Sequence, residues 1–229
     1  TIRVDESVMR APSRLPWTGG TRSVLWTGIE PVSIPGSCGI SVFSNSAWVG
    51  EQLNNERLQR FPLTGPATSQ DFLGTHVGDN PAATATAAHA DLAVFLNRTL
   101  ASGPFMFYAF RSTNLVTPLW TLSIPENYTY SGVHNVKVSR DGSVVAVAVY
   151  DGTAQASRVY FLNGNTGEEI NHWDGPVYVG GVDLTDNGSR ALLTAGPGAK
   201  LVNTATLAET FSAAGSGSGG WYNISGDGN

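Results

Sequence analysis

The sequence predicts an all-β chain assembled from repeated four-stranded antiparallel sheets, and three observations carry that prediction. A Ser/Thr-x-Asp/Asn-Gly signature recurs in the C-terminal half, at Ser139–Gly142, 46 residues on at Thr185–Gly188, and, with Gly at its second position, 40 further at Ser225–Gly228. A second marker, Asn163 and Asn203 closing alternating apolar runs, recurs out of phase with the first. Composition agrees: charged residues are 14% of the chain, against roughly a quarter in ordinary soluble domains. With 27 glycines in 229 residues, the chain favours turns and strands over exposed helices.

The elements follow from these markers. In "VKVSRDGSVVAVAVYDG" Gly142 tolerates positive φ and Asp141 can bond its own backbone, so the pair makes a hairpin turn; Val136, Val138, Val145 and Val147 supply its strands. "VDLTDNGSRALLTA" repeats the pattern around Asn187-Gly188. Upstream, "TATAAHADLAVFL" and "GISVFSNSAWVG" fit it with weaker turns, placing Ala88 and Phe43 at the Ser139 position. "RVYFLNGNTGEEINHW" and "AKLVNTATLAETF" share the second marker, and "FYAFRSTNLVTPLW" and "RLQRFPLTG" look like them. Each unit reads as strand, hairpin, strand, loop, strand, polar turn, strand. Four strands in 40 to 50 residues are the signature of a β-propeller blade, a unit that is stable when neighbours cover its faces and marginal alone.

Ala47–Phe61 tests this register. Its residues could form an amphipathic helix with Trp48, Leu58 and Phe61 inside. The repeat instead makes it a strand, a loop around Asn54-Asn55 and a second strand, a reading that also explains four other segments. The chain is thus one propeller unit over 1–229, with an irregular lead-in at 1–22 and blade-like repeats from about residue 23. Four blade-length units plus partial blades give an incomplete ring, which further protein is expected to complete.

The segment from Pro118, "PLWTLSIPENYTYSGVHNVKVSRDGSVVAVAV", resembles the stretch that leaves one blade and enters the next in bacterial WD40-like and PQQ-like (quinoprotein, YVTN-type) propeller repeats. "FLNGNTGEEI" and "LVNTATLAET" resemble the fourth-strand turn of those repeats. The resemblance covers most of residues 20 to 229. It implies the fold, while members of these families serve as dehydrogenases, lectins, scaffolds and lyases. Asn171 stands where quinoprotein blades carry a docking Trp, with Trp173 two residues later, and the single Cys38 excludes vicinal cysteines. No quinone or other cofactor is expected. The sialidase Asp-box is not met either, since "SRDGSVVA" lacks its further Gly and its Trp.

Other chemistry finds little support. A net charge of −5, with lysine only at Lys137 and Lys200, offers no basic stripe for nucleic acid. No apolar run reaches the 18 or more residues of a helical membrane span. His76, His89, His134 and His172 lie far apart, so no metal site is expected. "GSGSGG" at Gly215–Gly220 lacks the following helix of a phosphate loop, and there is no Gly-x-Ser-x-Gly elbow. Glu168-Glu169 and Asp183 with Asp186 are not paired carboxylates, because strand neighbours face opposite ways. "HWDG" at His172–Gly175 is the tightest functional-looking cluster and reads as a turn with a docking Trp. The sequons at Asn97, Asn127, Asn187 and Asn223 match chance frequency in a chain this rich in Ser and Thr. Cys38 reads as a small buried residue.

Recognition is therefore expected on the loops that lead into each first strand, which hold Tyr128, Tyr130, His134, Tyr178 and Trp221. Aromatic side chains with a polar tip suit a glycan, peptide or protein ligand. The sequence supports a secreted or periplasmic binding or scaffold module. The alternative is an enzyme, either a polysaccharide lyase with His134 or Tyr130 as base or a quinoprotein-like oxidoreductase.

Overall fold

The computed structural model describes residues 35–41, 45–51, 57–62, 70–73, 84–98, 105–125, 129–130, 136–214 and 224–228. They form an all-β structure of successive four-stranded antiparallel sheets. The first blade comprises β1 (Pro35–Ser41), β2 (Ser46–Glu51), β3 (Arg57–Pro62) and β4 (Gln70–Leu73). The second comprises β5 (Thr84–Thr86), β6 (Ala93–Arg98), β7 (Phe105–Phe110) and β8 (Trp120–Ser123). In the third, β10 (Val136–Val138), β11 (Val144–Asp151), β12 (Ala156–Asn163) and β13 (Glu169–Gly175) are joined by the short β9 (Thr129–Tyr130), which also pairs with β11. The fourth is β14 (Val179–Leu184), β15 (Arg190–Ala195), β16 (Gly198–Asn203) and β17 (Glu209–Ala214). Ala47–Phe61 is strand, loop and strand: Ala47 pairs with Phe61 and Gly50 with Leu58. The described residues do not close a ring.

Period-2 patterning explains how the blades stack. On β11, Val145, Val147 and Val149 face the second blade, packing with Val94, Leu96, Phe107 and Trp120. The alternate residues Val144, Ala146 and Ala148 face the fourth, packing with Val179, Val182 and Leu193. A strand covered on both faces must be apolar at every position, which is why "VVAVAV" shows no alternation between apolar and polar residues. Trp48 and Leu58 meet Ala93, Phe95 and Phe110 between the first and second blades. Phe161 and Leu162, adjacent on β12, are both fully buried because they face different neighbours.

The hairpin signature forms one turn three times. Gly142 N–H donates to Ser139 O, Gly188 N–H to Thr185 O and Gly228 N–H to Ser225 O, each at 2.9 Å. All three glycines have positive φ, 74°, 65° and 78°, the region glycine enters without steric cost. Asp141 Oδ1 accepts from Ser143 N at 2.9 Å and Asn187 Oδ1 from Ser189 N at 3.0 Å, so the side chain closes its own turn. Ser139 and Thr185 are buried beneath, and their hydroxyls accept from Val144 N and Arg190 N. Asn187 is thus a turn residue.

The turns also join the blades. His89 N–H donates to Arg140 O at 2.7 Å, Asp141 N–H to Asp186 O at 3.0 Å, and Asp186 N–H to Gly226 O at 2.8 Å. One correction arises in this belt. Ala87, not Ala88, holds the Ser139 position, because Ala87 N–H donates to Leu92 O as Ser139 N–H donates to Val144 O. The second marker is likewise a repeated device: Asn163, Asn203 and Asn114 each accept on Oδ1 from the backbone N–H groups two and three residues on. The position of Phe43 and the side chain of Cys38 lie outside the described residues.

Candidate functional site

In an antiparallel meander the first-to-second and third-to-fourth strand connections lie at one end of the blade. The second-to-third connections and the blade-to-blade crossings lie at the other. This second end is the loop face, and in the third and fourth blades residues 152–155, 176–178 and 196–197 build it.

Tyr178 stands there, immediately before β14, with 44% of its surface exposed. Its backbone is fixed on both sides: Gly196 N–H donates to Tyr178 O at 2.9 Å, and Val179 N–H donates to Ser157 Oγ at 2.9 Å. Tyr150, at the end of β11, meets Tyr178 edge to face, with ring centroids 5.2 Å apart and planes at 78°. The two rings form an aromatic corner, one presenting a face and the other an edge. Beside it, a carbon added at Gly180 would lie 3.4 Å from the Tyr178 ring, and one at Gly152 would lie 4.0 Å from that of Tyr150, so neither position crowds the corner.

The surrounding charges are committed to structure. Asp151 is buried and accepts on Oδ1 from Thr153 N at 2.8 Å and Ala154 N at 2.9 Å, shaping the 152–155 loop. Gln155 completes that loop at φ 53°, its side-chain amide donating to Gly152 O at 2.6 Å. Arg158 grips Asp174 with two parallel bonds of 2.7 and 2.9 Å. That guanidinium, outweighing partial burial, holds the Asp174 carboxyl below its ordinary range. Solvent around the corner meets Pro176, Tyr178, Pro197, Thr153 and Ala154, together with the exposed Asp174 held by Arg158.

Of the residues the sequence singled out, Tyr178 is on this face. Tyr130 is placed as backbone only, in β9 opposite Val149, while Thr129 pairs with Tyr150. The Thr129–Tyr130 pair therefore lies along β11, the strand that carries Tyr150. Tyr128, His134 and Trp221 lie outside the described residues. Tyr150 was missed because it reads as one more member of the β11 run; its place at the end of that run, just before Asp-Gly, was the available signal.

"HWDG" is corrected: residues 172–175 are not a turn but the end of β13, with His172 opposite Tyr160 and Asp174 opposite Arg158. Pairing with β12 keeps Asp-Gly extended. Trp173 is partly buried against the apolar cluster shared by the third and fourth blades. His172 Nδ1 lies 2.7 Å from Glu169 Oε1, and its Nε2 lies 3.5 Å from Asp174 Oδ2, in a partly exposed polar cluster along β13. The acid pairs are separated: Glu168 accepts from Thr166 and Glu169 meets His172, while Asp183 approaches Lys137 and Asp186 meets Arg140. Among the described residues no three His, Cys, Asp or Glu side chains converge as metal ligands.

No protein-family model matches the chain, and no curated protein matches it. Solved structures do. One is a chain of the mitotic checkpoint complex, at 12% identity and TM-score 0.58, covering 85% of this chain and 58% of that one. Another is the β-propeller domain of Cps50 (Swd1) from Myceliophteria thermophila, at 8% identity and TM-score 0.51, covering 79% and 59%. Hsv2 of Kluyveromyces lactis follows at 13% identity and TM-score 0.50, covering 73% and 48%. The fold is a β-propeller. At these identities the likeness concerns the fold alone. The chain spans between 48% and 59% of the length of these three structures. No helix among the described residues is long and apolar enough to cross a membrane.

Proposed function

We propose that this propeller is a binding or scaffold module that holds a partner on its loop face, with the Tyr150–Tyr178 corner at the centre of the contact. The observation that carries the reading is that corner: two aromatic rings at 78°, one of them 44% exposed, on backbone fixed by neighbouring strands. Exposed, rigid tyrosines supply apolar area at low entropic cost and so make good recognition anchors. The neighbouring structures support the same class of role, since one is a chain of a named multiprotein complex. Tyr128, Tyr130, His134 and Trp221 are proposed as further contacts on this face. The ligand is a glycan, a peptide or a protein surface, and the setting extracytoplasmic, following the resemblance to bacterial propeller repeats.

A panel of neutral oligosaccharides, acidic oligosaccharides and a displayed peptide library tests the reading. A binder should lose tenfold or more in affinity to Tyr178→Ala and to Tyr150→Ala, with no loss to Arg140→Ala on the opposite face. Binding that is indifferent to both tyrosines would remove the loop-face assignment.

A further inference from the structure

The position that docks each blade on the next can be followed through three outer strands. Trp120 is paired with Ala109, Asn171 with Phe161 and Phe211 with Leu201, and the turn markers bring Asn171 and Phe211 into register. Trp120 Nε1 donates to Gly164 O, in the β12–β13 turn of the following blade, at 2.8 Å. Asn171 Nδ2 donates to Ala205 O, in the β16–β17 turn of its following blade, at 2.8 Å. Phe211 holds the same place on the fourth blade and is 54% exposed, on a strand whose six residues are all exposed.

The receiving turns are matched in size to what lands on them. Gly167 and Leu207 occupy one position, each donating its N–H to the marker Asn four residues before, at 2.8 and 2.9 Å, with φ of 72° and 60°. A carbon added at Gly167 would sit 2.7 Å from the Trp120 ring, so the large indole needs glycine there. Where the docking residue is the smaller Asn171, the turn carries Leu207, which fills the space by packing into the cluster between the third and fourth blades.

The fourth blade also already bears the first turn of such a neighbour. Ser225–Gly228 is seated on it through Asp186 N–H to Gly226 O at 2.8 Å, Ile224 N–H to Asp183 Oδ2 at 3.0 Å and Arg190 Nη1 to Gly228 O at 3.2 Å. A carbon added at Gly228 would lie 2.9 Å from Thr185 Cγ2, as one at Gly188 would lie 3.2 Å from Ser139 Cβ. The contact is thus the interblade interface repeated once more.

We propose that the exposed flank of the fourth blade is a docking surface for a further four-stranded blade that starts with the Ser225–Gly228 turn and carries glycine in its third-to-fourth-strand turn, where Phe211 lands. The surface is continuous with two interfaces of known composition, and the large Phe211 sets the size rule in the Trp120–Gly167 sense rather than the Asn171–Leu207 sense.

The test extends the full chain behind Gly228 with its own residues 143–175, which supply three strands and the Gly167 turn, and reads amide hydrogen exchange over Glu209–Ala214. The extension should slow that exchange tenfold or more. Gly167→Leu in the added copy should remove most of the protection, and Phe211→Asn should restore it. Equal exchange in original and extended chains, or equal protection by the Gly and Leu copies, would overturn the proposal. The unextended chain gives an independent arm: Gly167→Leu should lower the melting temperature and Trp120→Asn should recover at least half the loss. Purely additive effects of those two changes would overturn the size rule.

Discussion

Gly188 rests directly on Val144 of the preceding blade: a carbon added to Gly188 would lie 2.4 Å from Val144 Cβ, inside any real contact distance. Its φ of 65° is the left-handed region as well. The residue is therefore glycine for two separate reasons, one belonging to its own turn and one to the neighbouring sheet. Gly188→Ala should cost about 2 kcal/mol or more, the left-handed backbone penalty of about 1–2 added to overpacking of about 1–3. Gly152→Ala is the control. Its nearest contact would be the Tyr150 ring at 4.0 Å and its φ is not positive, so urea midpoints should separate the two variants clearly.

Asp141 and Asn187 do the same structural work with different chemistry. Burial works against the charged form of Asp141, but the N–H and hydroxyl of Ser143 and the hydroxyl of Ser139 outweigh it and lower its pKa from the ordinary 3.8. A group lowered on folding stabilises the protein above its ordinary pKa and loses that contribution as pH falls through the lowered folded value. Asp141→Asn, which installs the residue found at the matching position 187, should flatten stability below pH 3.8 relative to the parent. Identical acid unfolding curves for both would count against the carboxylate's role in the turn.

Phe161 is fully buried between the third and fourth blades, whereas Tyr178 stands 44% exposed at their rim. Phe161→Ala should cost about 3–5 kcal/mol, the usual loss on removing a buried aromatic side chain. Tyr178→Ala should cost under about 1 kcal/mol, because half-exposed surface positions contribute little. Denaturant unfolding of both checks that binding defects in Tyr178 variants are not folding defects.

The repeat was legible because its turns need particular residues. Gly142, Gly188 and Gly228 reveal themselves through positive φ, and Asn163 and Asn203 through side chains that cap two backbone N–H groups. Register slipped by one at Ala87, where "AAHADL" has no glycine and the turn is defined by backbone bonds, including His89 N–H to Arg140 O across blades. Asp174-Gly175 misled for the opposite reason: a turn-like dipeptide stays extended when pairing with β12 and the Arg158 grip on Asp174 hold it. The candidate site was half legible: Tyr178 follows from its place before a first strand, but Tyr150 joins the candidate corner only because β11 brings its end beside Tyr178.

Recognition on the loop face, and not on the turn face, is the central claim. Hydrogen exchange of the full chain, with and without the tightest binder from the oligosaccharide and peptide panel, measures this directly. Slowed exchange is expected at 150–155 and 176–180, with 139–143 and 185–189 unchanged. Protection confined to the two turns, with the Tyr150 and Tyr178 segments unaffected, would contradict it.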